Sequence, residues 1–216
     1  MQAIAGWKGE LSSLAKIFLV RHGETQWNEE KRYQGHFDIP LNHRGRQQAE
    51  RVAAELANIG ASAGFLVSSD LARARDTAAV VGKQLQLPVI CCSLWRERCH
   101  GRWEGLTREE IQELYPEEWR KNRANPHLTP PGGGETLAEL KARAIEAMGW
   151  VLTEYAGQTG IIVSHGGVLR TLLAWIAHQD TPRFVLNNGG ISVIKGETID
   201  ELAVVTINET AHLADL

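Results

Sequence analysis

One short pattern occurs twice in this chain: an apolar run, one polar residue, then His-Gly. The first copy is Ile17-Phe18-Leu19-Val20-Arg21-His22-Gly23 and the second is Gly160-Ile161-Ile162-Val163-Ser164-His165-Gly166. Neither run alternates apolar with polar, so each reads as a strand buried on both faces. A strand of that kind needs a helix layer on either side of its sheet, and the chain supplies the helices. Apolar residues at Ala49, Val52, Ala53, Leu56 and Ile59 follow the helical period across Arg44 to Ile59. Further strands are expected at Phe65 to Val67 and Pro88 to Cys91, and a closing pair at Ile191 to Lys195 and Leu202 to Ile207. Helices are expected at Leu71 to Leu85, with Asp70 as N-cap, and at Glu135 to Tyr155 and Val168 to Ala177. Short helical pieces are expected at Thr107 to Leu114 and Pro116 to Lys121, before a Pro- and Gly-rich loop from Asn125 to Gly134. Strands alternating with helices imply an α/β fold, a three-layer sandwich with an open, mostly parallel sheet and helices on both faces.

The chain has 216 residues, enough for one well-cored domain. It divides into an N-terminal extension, 1–14, and a single domain, 15–216. A net charge of −3 offers no general surface for polyanions, so nucleic acid is not an expected partner. No apolar run approaches the roughly 20 residues of a membrane span, and Lys8 and Glu10 interrupt any signal-peptide core. Three clustered cysteines, Cys91, Cys92 and Cys99, make a poor disulfide framework and fit a reducing, cytoplasmic setting.

In an open α/β sheet, ligands bind beyond the carboxyl ends of the strands, where both histidines are placed. The glycine after each lets the backbone approach a ligand, and Gly166-Gly167 opens a helix whose free N–H groups attract anions. Arg21 beside His22, and Arg73 or Arg75 after the second strand, are of the type that grips phosphate. Arg75 reads as solvated. Glu97 follows the third strand and is a candidate proton donor, with Glu104 competing.

Together these residues resemble the histidine phosphatase superfamily, the phosphoglycerate-mutase-like clan, from Lys16 to the C-terminus. The resemblance rests on Arg21-His22-Gly23-Glu24-Thr25-Gln26-Trp27-Asn28, then Gln34-Gly35 and Asp38-Ile39-Pro40-Leu41. It continues through Ser69-Asp70-Leu71-Ala72-Arg73-Ala74, Glu97 to Gly105, Gly133-Gly134-Glu135-Thr136 and Val163-Ser164-His165-Gly166-Gly167. It implies that His22 attacks phosphorus, and that Arg21, Arg73 and His165 bind the phosphoryl oxygens. It implies that Glu97 serves as acid and then base, and that Asn28, Gln34, Gly35 and Gly166 help bind the substrate. It implies no metal and no cofactor, because fixed cations carry the electrostatics. The implied partner is a small phosphorylated metabolite; a homodimer is left open.

Three rivals remain. Cys92 to Arg98 has the Cys-x5-Arg spacing of cysteine phosphatases, but Trp95 and Glu97 occupy its interior. A metal hydrolase would need closer histidine spacing, and a dead binding module would lack some of the residues above. Within the clan, the short distance from Glu97 to Gly134 resembles the phosphatase branch rather than the mutases. That branch includes broad-specificity, α-ribazole and cofactor-independent phosphoserine phosphatases. His100, where many of these carry an apolar residue, together with Tyr115-Pro116-Glu117-Glu118 and Asn208 to Leu213, resembles the last group and points to L-phosphoserine.

Overall fold

The computed structural model describes residues 16–59, 62–179 and 184–216, so the N-terminal extension 1–14 lies outside the described residues. Six strands form one sheet: β1 (Lys16–Arg21), β2 (Phe65–Ser68), β3 (Val89–Cys91), β4 (Gly160–Ser164), β5 (Ile191–Lys195) and β6 (Ala203–Glu209). Their order is β3-β2-β4-β1-β5-β6. The pairs β2–β3, β2–β4 and β1–β4 are parallel, and β1–β5 and β5–β6 are antiparallel. The helices are α1 (Gln26–Glu29), α2 (His43–Asn58), α3 (Ala72–Leu85), α4 (Arg108–Leu114), α5 (Pro116–Ala124), α6 (Leu137–Glu154) and α7 (Gly166–Ile176).

The unalternating apolar runs behave as their composition requires. Ile17 and Leu19 pack with Leu140, Met148 and Leu172 on one face, while Phe18 and Val20 pack with Val52, Leu56 and Val81 on the other. Helices α6 and α7 therefore cover one face, and α2 and α3 the opposite one. Local chemistry starts most of the helices: Asn42 caps α2, and Thr107 and Thr136 each close a capping box on α4 and α6.

Asp70 does not cap α3. The cap residue is Leu71, with no side-chain bond. The Asp70 carboxylate instead takes a bidentate pair from Arg96, at 2.8 and 2.6 Å. A planar guanidinium offers two charge-assisted bonds where a helix end offers one amide.

This topology positions a site. Strands β1 and β4 are neighbours in register, with Arg21 opposite Ser164. The chain leaving β1 passes to the α2 face, and the chain leaving β4 passes to the α7 face. The two connections diverge and open a crevice at the carboxyl ends of the pair.

Candidate active site

His22 and His165 follow β1 and β4 directly, so the register of that one strand pair brings them together. Their ring centroids are 5.0 Å apart. The His22 amide donates to Ser164 O at 2.9 Å, which ties the two strand ends to each other.

The hydrogen bonds of His22 determine its chemistry. Its Nδ1 lies 2.6 Å from Gly23 O, and a carbonyl only accepts, so Nδ1 carries the proton. The lone pair is then on Nε2. Burial, reinforced by the positive fields of Arg73 and Arg21, holds the ring well below the ordinary histidine range and therefore neutral. A neutral imidazole with Nε2 unprotonated is a nucleophile without further activation.

Around it is a cavity of about 470 Å3, lined by Arg21, Arg73, Asn28, Gln34, Gly35, Glu97 and His100 among others. Arg73 is fully buried. It donates to the carbonyls of Phe37 and Gly35, both at 2.8 Å, and from Nε to His165 Nδ1 at 3.2 Å. Arg21 donates to Leu186 O at 2.5 Å and keeps a buried Nε without a partner. Desolvation pulls both guanidiniums down to about 10, so both are charged at neutral pH. Neither forms an ion pair with a carboxylate among the described residues. Two buried cations facing a neutral nucleophile make a site for a dianion.

Glu97 is in the same wall. Its carboxylate accepts from Arg98 N at 2.8 Å and from Gly167 N, in the first turn of α7, at 2.9 Å. Burial opposes its ionisation, but those two amides, with the field of Arg73, hold the carboxyl below its usual range. Glu104, the competing carboxylate, is outside this wall and instead accepts from the His100 amide at 2.8 Å.

The family model of the histidine phosphatase superfamily (branch 1) matches residues 17–210. The chain belongs to that superfamily. Phosphoglycerate mutase-like protein 4 of Arabidopsis thaliana is 39% identical to it over 203 residues, 93% of this chain and 88% of that one. Phosphoserine phosphatase 1 of Hydrogenobacter thermophilus is 33% identical over 205 residues, 94% of this chain and 96% of that one. Among solved structures, the Entamoeba histolytica phosphoserine phosphatase in complex with 3-phosphoglyceric acid superposes with a TM-score of 0.81 at 27% identity, covering 93% of this chain and all of that one. Within the superfamily, this chain is a phosphatase.

Most of the residues expected in a superfamily site meet at the cavity. His165 and Gly166 stand beside it rather than in its wall. Both nitrogens of His165 are engaged, Nδ1 with Arg73 and Nε2 with Ser69 Oγ at 2.8 Å. Gly166 lies against Arg21, where a Cβ would come within 3.2 Å of the guanidinium Nε. Asn28 uses its Oδ1 to cap α1 and to accept from Asn188. His100 is pushed down to about 4 by burial, so it faces the cavity as a neutral imidazole, with Nδ1 buried and unpartnered. Cys92 packs against the apolar core and is absent from the wall.

Sequence reasoning missed the supports of Glu97. Arg143 on α6 donates to Leu94 O at 2.7 Å and Arg96 O at 2.8 Å, and is itself held bidentately by Glu135 at 2.8 and 2.7 Å. His36 Nε2 donates to Glu97 O at 2.8 Å. Arg143 and His36 thus fix the loop that carries Glu97. The Gly133-Gly134-Glu135-Thr136 block was the available signal, because it contains the glutamate that positions Arg143.

Proposed function

We propose that this phosphatase works through a phosphohistidine on His22 and that L-phosphoserine is its preferred small substrate. The observation that carries the mechanism is the Nδ1–H bond to Gly23 O, which leaves Nε2 free in a cavity with Arg21 and Arg73. His22 Nε2 attacks phosphorus as the ester P–O bond breaks. The leaving oxygen takes a proton from Glu97, and a water then attacks the phosphohistidine while Glu97 takes the proton back. Glu97 is ionised in the free protein, so its proton is taken up with the substrate, whose phosphate dianion raises carboxyl proton affinity. Arg21 and Arg73 bind the phosphoryl oxygens. His165 joins them by exchanging the Ser69 hydroxyl for one of those oxygens. The two fixed guanidiniums supply the charge stabilisation that a metal ion supplies elsewhere.

Support for phosphoserine comes from two relatives that carry that name and from His100, whose buried and unpartnered Nδ1 sits beside Glu97, where the alcohol departs. A neutral imidazole serves a substrate carboxylate or amine by hydrogen bonding, not by charge. The test is a rapid quench with radiolabelled phosphoserine. Wild type should show an acid-labile, alkali-stable label, and His22→Ala should show none. A panel of small phosphomonoesters should rank phosphoserine first, and His100→Phe should erase that rank by about tenfold or more. A label retained in His22→Ala would defeat the mechanism; a flat panel would defeat the substrate.

A further inference from the structure

On the other side of Glu97 lies a second cavity, of about 650 Å3. Tyr33, Glu97 and His100 stand in the walls of both cavities. The second wall carries Arg98, Arg123, Lys141 and Arg170, and among the described residues none of these four pairs with a carboxylate. Its own carboxylate is Glu97, already held by backbone amides. On a chain of net charge −3, so many unpaired cations around one hollow mark a focused positive field.

The hollow is also aromatic. Trp103, Trp119 and Trp175 line it. The Trp103 indole is 1% exposed, and its Nε1 has no hydrogen-bond partner among the described residues. The Arg123 guanidinium sits 5.8 Å from the Trp119 ring centre, which places a cation beside a flat apolar surface. A serine-sized alcohol needs none of this, because the first cavity holds it.

We propose that the second cavity is a subsite for a further substrate class: phosphomonoesters whose alcohol carries a planar ring and an anionic group on that ring. The inference rests on the phosphatase reading, because Glu97 protonates the leaving oxygen and belongs to both walls. Tyr33, Glu97 and His100 border both cavities, so an alcohol leaving at Glu97 departs at their common boundary, and the proposal extends it into the second. The ring lies among the tryptophans, and its anionic group meets Arg123 and Lys141.

Benzyl phosphate and para-carboxybenzyl phosphate differ by that one carboxylate and form similar alkoxides. Wild type should turn over the carboxylated ester with kcat/KM about tenfold higher, the effect of one charge-assisted contact. Replacing both rim cations, Lys141→Met with Arg123→Met, should bring the ratio near one, chiefly by lowering kcat/KM of the carboxylated ester. Both positions are exposed, so the fold should tolerate them. A wild-type ratio of one while benzyl phosphate or phosphoserine is hydrolysed would overturn the inference and spare the phosphatase reading. So would a ratio that survives in the double variant. If no phosphomonoester is turned over, both fall together.

Discussion

Glu97 is the residue whose environment matters most for the chemistry assigned to it. A general acid needs a proton, yet two amides hold this carboxyl ionised until a phosphate arrives. The same amides keep it aimed at the cavity. Glu97→Gln keeps the shape and removes the proton, so its effect should depend on the leaving group. Hydrolysis of alkyl phosphates should fall by about a hundredfold or more, the scale of acid–base catalysis, and nitrophenyl phosphate far less. Steady-state kinetics on the two esters settles it: equal losses would remove Glu97 from the role. Arg21 and Arg73 are charged and, among the described residues, paired with no carboxylate, a cost the fold carries until a dianion fills the site.

At the scale of elements, the first turn of α7 links the second histidine to the acid. Its N-cap, His165, makes no side-chain cap bond, and the Gly167 amide is satisfied instead by Glu97, from a loop distant in sequence. A Cβ on Gly167 would clash with Glu97 Oε1. Gly167→Ala should therefore displace the carboxylate and reproduce the leaving-group dependence of Glu97→Gln, with far-UV circular dichroism unchanged. An alanine variant with wild-type rates on alkyl phosphates would show that the amide is not what places the acid. The strands and helices were legible in the sequence because burial on two faces imposes an unalternating apolar run, and a one-sided helix imposes a period. The histidines were legible because a strand end is a place that such runs define. Arg143 was not: a helix arginine that grips three loop carbonyls looks the same in sequence as a solvated one. Asp70 was misread because its position favours a cap, while its true partner, Arg96, lies on another loop. That His165 stands beside the cavity, bonded to Ser69, depends on ring orientation, which no sequence pattern encodes.

For the molecule as a whole, burial of neutral imidazoles sets the response to acid. His22, His165 and His100 all sit below the ordinary value of 6.5, His100 at about 4, with desolvation the largest cause in each. The unfolded chain therefore binds more protons than the native one as pH falls below 6.5, and stability is lost through that window. Melting temperature should drop steadily from pH 6.5 towards pH 4, and His100→Phe should flatten the drop. A slope unchanged in that variant would mean that His100 is not a buried neutral group. The position of β1 has a consequence of another kind. It precedes β2 and β3 in the chain, yet both of its sheet neighbours, β4 and β5, come after them. During synthesis its apolar run has no sheet neighbour to pair with until β4 has emerged. His22 is thus made well before His165, and the two meet only once β4 has been added beside β1. Such long-range pairing slows folding and leaves a sticky strand exposed in the meantime, a natural substrate for chaperones.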